Sequence, residues 1–276
     1  EQIASLDSNF ATLARTVNIS QLQTSAKNIV AAVNELNSNI PIFSNAGSHN
    51  GIFRGKNLGT SVTQGQWTAI QNGTFDDLYI GDYWVIGGVT WRIAAFDYYL
   101  NCGDTSFAKH HAVIVPDTSL YSHNMNDTND TTGGYVGSKM YTEGLGQAKT
   151  QIQDAFGASH VLTHRLLLTS ATTNGYASGG EWVDSIVDLM CETMVYGSMI
   201  ISPMNNGTNI PYNYRIEKGQ LPLFQMAPQY TFNRSGAYWL RDVVSSAFFA
   251  LVGNGGNATN NGASYVLGVR PAFCIG

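Results

Sequence analysis

The sequence predicts an α+β protein in which N-terminal coiled-coil helices precede a loop-rich body of small antiparallel sheets. Over positions 1–40, apolar residues recur at alternating spacings of three and four, as in a coiled-coil seam. A Gly87-Gly88 dipeptide lies between two β-prone runs, which indicates a hairpin. Near the C-terminus, strand-like runs at 248–252 and 265–269 flank a very polar stretch.

Charge is scarce in this chain of 276 residues. Charged residues make up 12% of it, where about 25% is usual; Asn, Ser, Thr and 29 Gly carry the polarity instead. This composition favours a turn-rich extracellular or virion protein over a cytosolic enzyme. The net charge of −5 and the lack of a basic run argue against nucleic-acid binding. No apolar run suits membrane insertion, and the start at Glu1 lacks a signal-peptide pattern.

The cysteines and paired histidines do not form a recognisable metal or disulfide pattern. Cys102, Cys191 and Cys274 are odd in number and irregularly spaced, so they form no disulfide framework or zinc site. Cys191 lies in a helix-like apolar pattern and Cys274 at a strand-like end, so we expect these two to be buried free thiols. His110 and His111 precede a strand and should point to opposite faces, which favours structural or exposed roles. No cofactor and no metal site is predicted.

Residues 1–40 are predicted to form a helical stalk. A seam needs a partner helix, so we expect self-association, and the large seam residues fit a trimer at least as well as a dimer. The alternative is a pair of helices folded back on the body. The pattern breaks at 18–20, and Thr24 or Ser25 could cap the second helix. The seam comprises Ile3, Leu6, Phe10, Leu13 and Val17, then Ala26, Ile29, Val33, Leu36 and Ile40.

A connector is predicted at 41–75 and the main domain at 76–276. Pro41 ends the helix, and glycines punctuate the connector, with a short helix around 66–71. The main domain opens with strand-like runs at Leu78 to Gly81 and on both sides of Gly87-Gly88, and another strand follows at Ala112 to Pro116.

Two helices are predicted in the body. One starts at Ser138 or Thr142 and runs to Phe156, before a Gly157 stop. The other is predicted at Glu181 to Tyr196, because its apolar residues recur at helical spacing. Between these helices, 161–168 is apolar enough for a strand or a short helix.

The loop from Asn124 to Gly134 is rich in oxygen ligands of the kind that calcium prefers. Its spacing does not match an EF-hand loop, which needs a final Glu. Asn, Asp and Thr also form local side-chain turns without a metal. Both interpretations stay open, and turn formation is favoured.

The polar stretch 253–262 near the C-terminus is the predicted binding region. Loops held by rigid elements are where binding surfaces concentrate, and Tyr and Asn suit a recognition surface. Trp239, Leu240, Val269 and Phe273 are expected in the core, with Arg270 as a buried, hydrogen-bonded strut. The residues expected to face outward and bind a receptor are Asp242, Ser245, Ser246, Phe249, Asn254, Asn257, Thr259, Asn260, Asn261, Ser264 and Tyr265. The alternative is an ordinary solvated loop.

A short segment resembles a motif of bacteriophage tail-fibre and baseplate proteins. It runs from Thr24 to Asn37, and its polar Asn34-Glu35-Leu36 ending is not demanded by helix propensity. The resemblance covers little of the chain.

The last three-quarters of the chain resembles a C-type-lectin-like domain. The motifs are Gly81-Asp82-Tyr83-Trp84, Met125-Asn126, Gly133 to Ser138, Gln220 to Phe224, Tyr238 to Asp242 and Gly268 to Phe273. They are similar to the variant of that fold shared by formylglycine-generating enzymes and phage receptor-binding proteins of the major tropism determinant group. They also resemble an uncharacterised prophage domain of gut Firmicutes.

This resemblance implies a homotrimeric virion protein whose C-terminal surface binds a host-cell receptor, either a protein or a glycan. The N-terminus would contact other virion tail proteins. In diversified members of the group, a retroelement mutates the final coding stretch, and the Asn-rich residues 254–265 would suit such a region. Calcium-dependent sugar binding is not implied, because that lectin signature is absent.

Two other functions compete with attachment. One is a purely structural tail or baseplate component. The other is an enzyme, either a glycan depolymerase or a formylglycine-forming oxidase, with Glu181 and Asp184 or Asp127 and Asp130 as carboxylate pairs. Such pairs are more often a helix start or a turn, and only Cys274 lies where the oxidase needs two cysteines. We therefore predict a binding protein with no catalytic residues.

Overall fold

The computed structural model describes Ser25 and residues 29–39, 45–202, 219–232 and 236–276. The chain forms two compact units, Glu1–Phe43 and Ser44–Gly276. No helix in these described stretches has both the length and the apolar character needed to cross a membrane.

The first unit contains one described helix, α1 (Ile29–Asn39), inside the second predicted seam segment. Val30 and Val33 on this helix are 72% and 56% exposed. The first predicted seam segment, Ile3 to Val17, lies outside the described residues.

The second unit is α+β, with many short strands and few helices. The helices are α2 (Ala46–Asn50), α3 (Gln64–Gln71), α4 (Leu145–Phe156, preceded by a π-helical turn at Met140–Gly144), α5 (Glu192–Tyr196) and α6 (Pro222–Met226). The strands are β1 (Tyr83–Ile86), β2 (Val89–Phe96), β3 (Ala112–Pro116), β4 (Tyr121–Asn124), β5 (Val161–Leu162), β6 (His164–Thr173), β7 (Tyr176–Ser185), β8 (Val187–Leu189), β9 (Tyr238–Val243), β10 (Phe248–Val252), β11 (Ala258–Gly262), β12 (Val266–Val269) and β13 (Pro271–Ile275).

The first sheet has the strand order β1-β2-β3-β13-β5, and β8 also pairs with β13. Its opening hairpin confirms the prediction from Gly87-Gly88, whose φ angles of +61° and +80° suit a tight type I′ turn. The predicted strand at Leu78 to Gly81 is wrong, because this segment makes only one isolated bridge, between Ile80 and Phe53.

The second sheet has the order β11-β10-β9-β12-β4. Strands β12 and β13 follow each other along the chain and lie in different sheets, so the C-terminal segment joins the two. Trp239, Leu240, Val269 and Phe273 are all buried, as predicted. The C-terminal segment is therefore a central part of the core.

Residues 44–75, which belong to the predicted connector 41–75, lie within the second unit. Helix α3 starts with a capping box between Thr63 and Gln66. Its Trp67 and Ile70 are buried in the main core, together with Phe75. This segment therefore contributes to the packing of the body.

The helix predicted at Glu181 to Tyr196 is wrong over most of its length. Residues up to Ser185 belong to β7, which pairs with β6 from His164↔Ser185 to Thr173↔Tyr176, and only Glu192–Tyr196 is helical. The apolar residues at helical spacing come from separate elements, β7, β8 and α5. Their burial is set by pairing with distant strands, which overrides the local period.

The helix predicted to end at Phe156 is confirmed. Ile152 and Phe156 of α4 are buried, and Gly157 has a φ of +83° directly after the helix. Phe156 meets the rings of Trp91 and Phe273 edge-on, with centroids 5.7 and 5.4 Å away. Helix α4 therefore packs on the first sheet.

Candidate functional site

Several loops meet at one end of the second sheet. We call residues 124–132, 173–176, 244–248 and 262–265 the loop surface. The Thr131 amide donates to the Ser246 carbonyl at 3.1 Å, and the Thr131 hydroxyl donates to the Ser245 carbonyl at 2.8 Å. The Ala263 amide donates to the Ala247 carbonyl at 2.9 Å. These backbone contacts fix the loops relative to one another.

Asn129 connects two of these loops through its side chain. Its Oδ1 accepts hydrogen bonds from the Ser264 amide at 3.0 Å and the Ser264 hydroxyl at 2.8 Å. The Asn126 amide donates to the Ala263 carbonyl at 2.9 Å nearby. The oxygen-rich loop from Asn124 to Gly134 therefore supports the C-terminal loop at 262–265.

The tip of the β6–β7 hairpin completes the loop surface. Gly175 has a φ of +81°, and a Cβ there would lie 2.8 Å from the Ser246 nitrogen. The Thr172 hydroxyl donates to the Thr131 carbonyl at 3.0 Å. Only glycine both adopts this conformation readily and permits this close approach.

Three aromatic side chains are exposed on this surface. Tyr176, Phe248 and Tyr265 are 42%, 40% and 56% exposed. Each is tied to the frame: Tyr176 follows Gly175, Phe248 pairs with Gly262 in the β10–β11 ladder, and the Tyr265 amide donates to the Gly262 carbonyl at 3.0 Å. Exposed aromatic residues on a rigid frame are typical of binding hot spots.

Four predicted binding residues lie on the loop surface. Ser246 and Tyr265 are exposed, and Ser245 and Ser264 are half-buried. Asp242 lies outside it, is half-buried, and accepts a hydrogen bond from the Glu192 amide at 2.7 Å.

Phe249 is predicted to face outward, and this is wrong because it is fully buried. Consecutive residues of a strand point to opposite faces, so the outward position belongs to its neighbour Phe248. The sequence cannot distinguish the two phenylalanines without the register of β10.

The polar stretch 253–262 is predicted to be a loop, but its second half, Ala258–Gly262, forms the edge strand β11. The turn that remains is held by hydrogen bonds from the Gly253 amide to the Asn257 carbonyl at 2.8 Å and from the Tyr196 hydroxyl to the Gly256 carbonyl at 3.0 Å. The exposed Asn254 and Asn257 therefore lie at the opposite end of β10, ~13 Å along the strand from Phe248. Thr259, Asn260 and Asn261 lie on the edge strand between the two ends.

The oxygen-rich loop uses its carboxylates for local contacts. Asp127 Oδ1 contacts Lys139 Nζ at 2.6 Å, and this hydrogen bond lowers the pKa of Asp127. Asp130 accepts from the Thr132 hydroxyl at 2.6 Å, which lowers the pKa of Asp130. Within the described ranges, no cluster of three or more His, Cys, Asp or Glu side chains could hold a metal ion.

The other candidate chemical groups are also engaged in structural contacts. Asp184 forms an ion pair with Arg165 at 3.2 Å, in a strand rather than at a helix start. His110 Nδ1 lies 2.7 Å from Asp97, whereas the His111 side chain is fully buried. Cys274 is buried, and burial raises the pKa of its thiol well above the ordinary value.

Tyr176, Phe248 and Asn129 are site residues that sequence reasoning missed. Asn174-Gly175 is a turn signal between β-prone runs, and it could have revealed the hairpin that presents Tyr176. No local pattern indicates that Asn129 contacts Ser264, because the two are 135 residues apart.

Comparisons of this chain with protein-family models, with curated proteins and with solved structures returned no match.

Proposed function

We propose that this chain is a receptor-binding protein of a bacteriophage virion, with a C-type-lectin-like body that displays the loop surface to the host cell. The observation that carries the proposal is the set of exposed aromatic residues, Tyr176, Phe248 and Tyr265, on hydrogen-bonded loops. Tail-fibre-like residues at 24–37 and the lectin-like motifs of the body support it.

The positions of the lectin-like motifs in the structure support the proposal of a C-type-lectin-like fold. Gly81 to Trp84 leads into β1, and the buried carboxylate of Asp82 accepts from the Lys56 amide at 2.8 Å and the Tyr79 amide at 2.9 Å. The Gln220 to Phe224 motif leads into α6, and the two C-terminal motifs include β9, β12 and β13. These motifs therefore lie at the starts of elements or within strands of the two sheets, as expected of a scaffold of that type.

The loop surface has the physical properties of a recognition site. Its frame is ordered before a partner arrives, so binding costs little loop-ordering entropy. Tyr and Phe supply rigid contact area, while Ser246 and Ser264 supply adaptable hydrogen bonds. Asn254, Asn257 and Asn260 lie further along the β10–β11 hairpin and would contact a larger receptor. The proposed receptor-binding residues include Phe248 and not Phe249.

Binding fits these residues better than catalysis does. Asp127 forms an ion pair with Lys139, and Asp184 forms one with Arg165. Cys274 is buried. A catalytic acid or nucleophile needs access to its substrate and a pKa suited to the reaction. The proposal therefore assigns this chain no catalytic step.

The proposal includes a homotrimer held by the N-terminal helices, which also contact other virion tail proteins. Three copies of a weak site would bind a cell surface much more firmly than one. Retroelement diversification of residues 254–265 is part of the same proposal, and sister-phage sequences with substitutions concentrated there would support it.

Adsorption to cells tests the proposal. The fluorescently labelled full chain is mixed with a panel of gut bacteria that includes many Firmicutes, and bound fluorescence is measured. We expect binding to a subset of strains, and a loss of at least about 100-fold in the triple variant Tyr176→Ala, Phe248→Ala, Tyr265→Ala, because each hot-spot aromatic contributes about 1–2 kcal/mol.

Gln147→Ala, at an exposed position of α4, is the matched control and should bind like the wild type. Failure of the wild type to bind any strain would favour the structural tail component. Unchanged binding by the triple variant would show that the loop surface is not the receptor site.

A further inference from the structure

The exposed Tyr265 belongs to a turn at 262–265 that connects β11 to β12. The Tyr265 amide closes the turn by donating to the Gly262 carbonyl at 3.0 Å. Gly262 is the last residue of β11, and Val266 on the other side pairs with Asn124 in the β4–β12 ladder. The middle of the turn, at 263–264, belongs to neither strand. The contacts that hold this middle therefore determine where Tyr265 lies.

The side chain of Asn129 holds the middle of the turn. Its Oδ1 accepts from the Ser264 amide at 3.0 Å and from the Ser264 hydroxyl at 2.8 Å. A backbone donor and a side-chain donor of the same residue thus meet at one oxygen atom. Together they restrain both the backbone position and the rotamer of Ser264, the residue directly before Tyr265.

Gly262 gives Asn129 a second contact with the same turn. A Cβ at position 262 would lie 2.8 Å from Asn129 Cγ and 2.9 Å from Asn129 Nδ2. The carboxamide of Asn129 therefore lies directly against the Gly262 backbone, and a glycine inside a strand often marks such a close approach. Asn129 consequently contacts the turn at its first and its third residue.

The loop that carries Asn129 is itself fixed on both sides of this residue. Asn126 Nδ2 donates to the Asp130 carbonyl at 2.6 Å, which closes the loop around Asn129. The Thr131 amide donates to the Ser246 carbonyl at 3.1 Å. Because the loop is ordered before a receptor arrives, Asn129 can hold the turn at little further cost in entropy.

The exposure of Asn129 separates its expected effect on binding from its effect on stability. Asn129 is exposed, and its two hydrogen bonds to Ser264 lie at the surface. Water can replace them when the side chain is removed, so no buried polar group is left unpaired. The body should remain stable, while Tyr265 loses its fixed position.

We propose that Asn129 is a positioning residue of the receptor site, whose side-chain oxygen holds the 262–265 turn and thereby places Tyr265 against the receptor. The inference rests on the proposed attachment function and deepens it. Both hydrogen bonds use Oδ1 as the acceptor. Aspartate has an acceptor oxygen at the same position and would preserve them, whereas leucine has a similar size and would lose them.

Two measurements on the full chain test the inference: hydrogen exchange of the Ser264 amide, and adsorption to a strain that the wild type binds. Asn129→Leu should exchange the Ser264 amide faster, because the amide loses its acceptor. The same variant should adsorb at least about 10-fold more weakly, because Tyr265 is misplaced. Asn129→Asp should keep the amide protected and recover most of the adsorption.

The matched control is Gln147→Leu, which makes a similar change from carboxamide to leucine at an exposed position of α4. It should leave both measurements unchanged. An equal urea midpoint for Asn129→Leu and the wild type would show that the variant is folded. Should Asn129→Leu fail to fold, Gly262→Ala provides the same test, because the added Cβ would displace the carboxamide from the turn.

A double variant distinguishes positioning from direct contact with the receptor. In the Tyr265→Ala background, Asn129→Leu should cause little further loss of adsorption, because the two residues act through one contact. Additive losses would show that Asn129 acts independently of Tyr265 and would overturn the inference.

Two other results would overturn the inference while the attachment function stands: unchanged exchange of the Ser264 amide in Asn129→Leu, or full adsorption by this folded variant to a strain whose binding depends on Tyr265. Absence of wild-type adsorption to every strain would remove the attachment function and the role of Asn129 together.

Discussion

Arg270 lies between β12 and β13 and connects the two sheets. Its Nε donates to the Pro116 carbonyl at 2.8 Å, at the end of β3 in the first sheet. Its Nη1 donates to the Tyr238 hydroxyl at 3.2 Å, in the second sheet. The side chain is fully buried, so its hydrogen bonds are made without competition from water.

Replacement of Arg270 by Met should lower the free energy of unfolding by about 3 kcal/mol or more, because buried acceptors such as the Pro116 carbonyl would lose their donor. Urea denaturation measures this loss. Arg165→Met is the control: Arg165 forms exposed ion pairs with Asp104 and Asp184, and such pairs contribute little. Equal losses in the two variants would contradict the strut assignment.

His164 makes the stability of the body depend on pH. Burial lowers the pKa of His164 to about 3, and burial also lowers the pKa of the neighbouring His111. The ring of His164 stacks on Tyr99 at 4.6 Å between centroids. A histidine that is neutral when folded adds stability that is complete above its unfolded pKa and is lost as pH falls toward the folded pKa.

Between pH 7 and pH 5, His164 should therefore account for a loss of about 2 kcal/mol in the free energy of unfolding. The measurement is urea denaturation at both pH values for the wild type and for His164→Phe, which retains an aromatic ring beside Tyr99. The variant should lose less stability than the wild type over this interval. Identical pH dependence in both proteins would show that His164 is not the responsible group.

At the scale of elements, the β6–β7 hairpin links the loop surface to the body. An isolated two-stranded ribbon is marginally stable, so its position depends on contacts at both ends. At the tip, Gly175 lies against Ser246. At the base, His164 and Ser185 pair, and β8 continues into the first sheet. The hairpin therefore presents Tyr176 beside the C-terminal loops.

Gly175→Ala should reduce cell adsorption at least about 10-fold, because the added Cβ would displace the tip from Ser246 and separate Tyr176 from the other aromatic residues. Adsorption to a bound strain measures this effect. Gly87→Ala is a matched control, since Gly87 also has a positive φ but no neighbour within 4 Å of its added Cβ. Gly87→Ala should lose about 1 kcal/mol of stability because of its positive φ. Gly175→Ala should lose more because of the added clash with Ser246, and only Gly175→Ala should lose adsorption.

At the scale of the whole molecule, the two compact units would have different roles in attachment: one would bind the receptor and the other would associate with further copies. The body, Ser44–Gly276, contains both sheets and the loop surface. Helix α1 of the other unit exposes Val30 and Val33, and exposed valines at helical spacing favour association with other copies.

The full chain should sediment as a trimer, and Val33→Glu should shift it toward monomer because a charge in an apolar seam is costly. Analytical ultracentrifugation measures the mass, with Asn34→Glu at the neighbouring exposed position as the control. Loss of the trimer should weaken adsorption by about 10²–10⁴-fold. A wild type that sediments as a monomer would refute the trimer.

The sequence alone determines those turns and helix ends that depend on residues adjacent in the chain. Gly87-Gly88 predicts the β1–β2 hairpin because only positive φ angles close that turn, and Gly157 predicts the end of α4 for a similar reason. The apolar residues around Trp239 and Phe273 predict the core, because burial follows from their hydrophobicity.

Only the tertiary structure decides the strands and surfaces that depend on distant pairing. Residues 181–185 form a strand because β6 pairs with them, and Phe248 rather than Phe249 faces outward because of the register with β9 and β11. The loop surface unites residues as far apart as Asn129 and Ser264. Contacts of this kind have no local periodicity, because their free energy comes from groups that meet only in the folded chain.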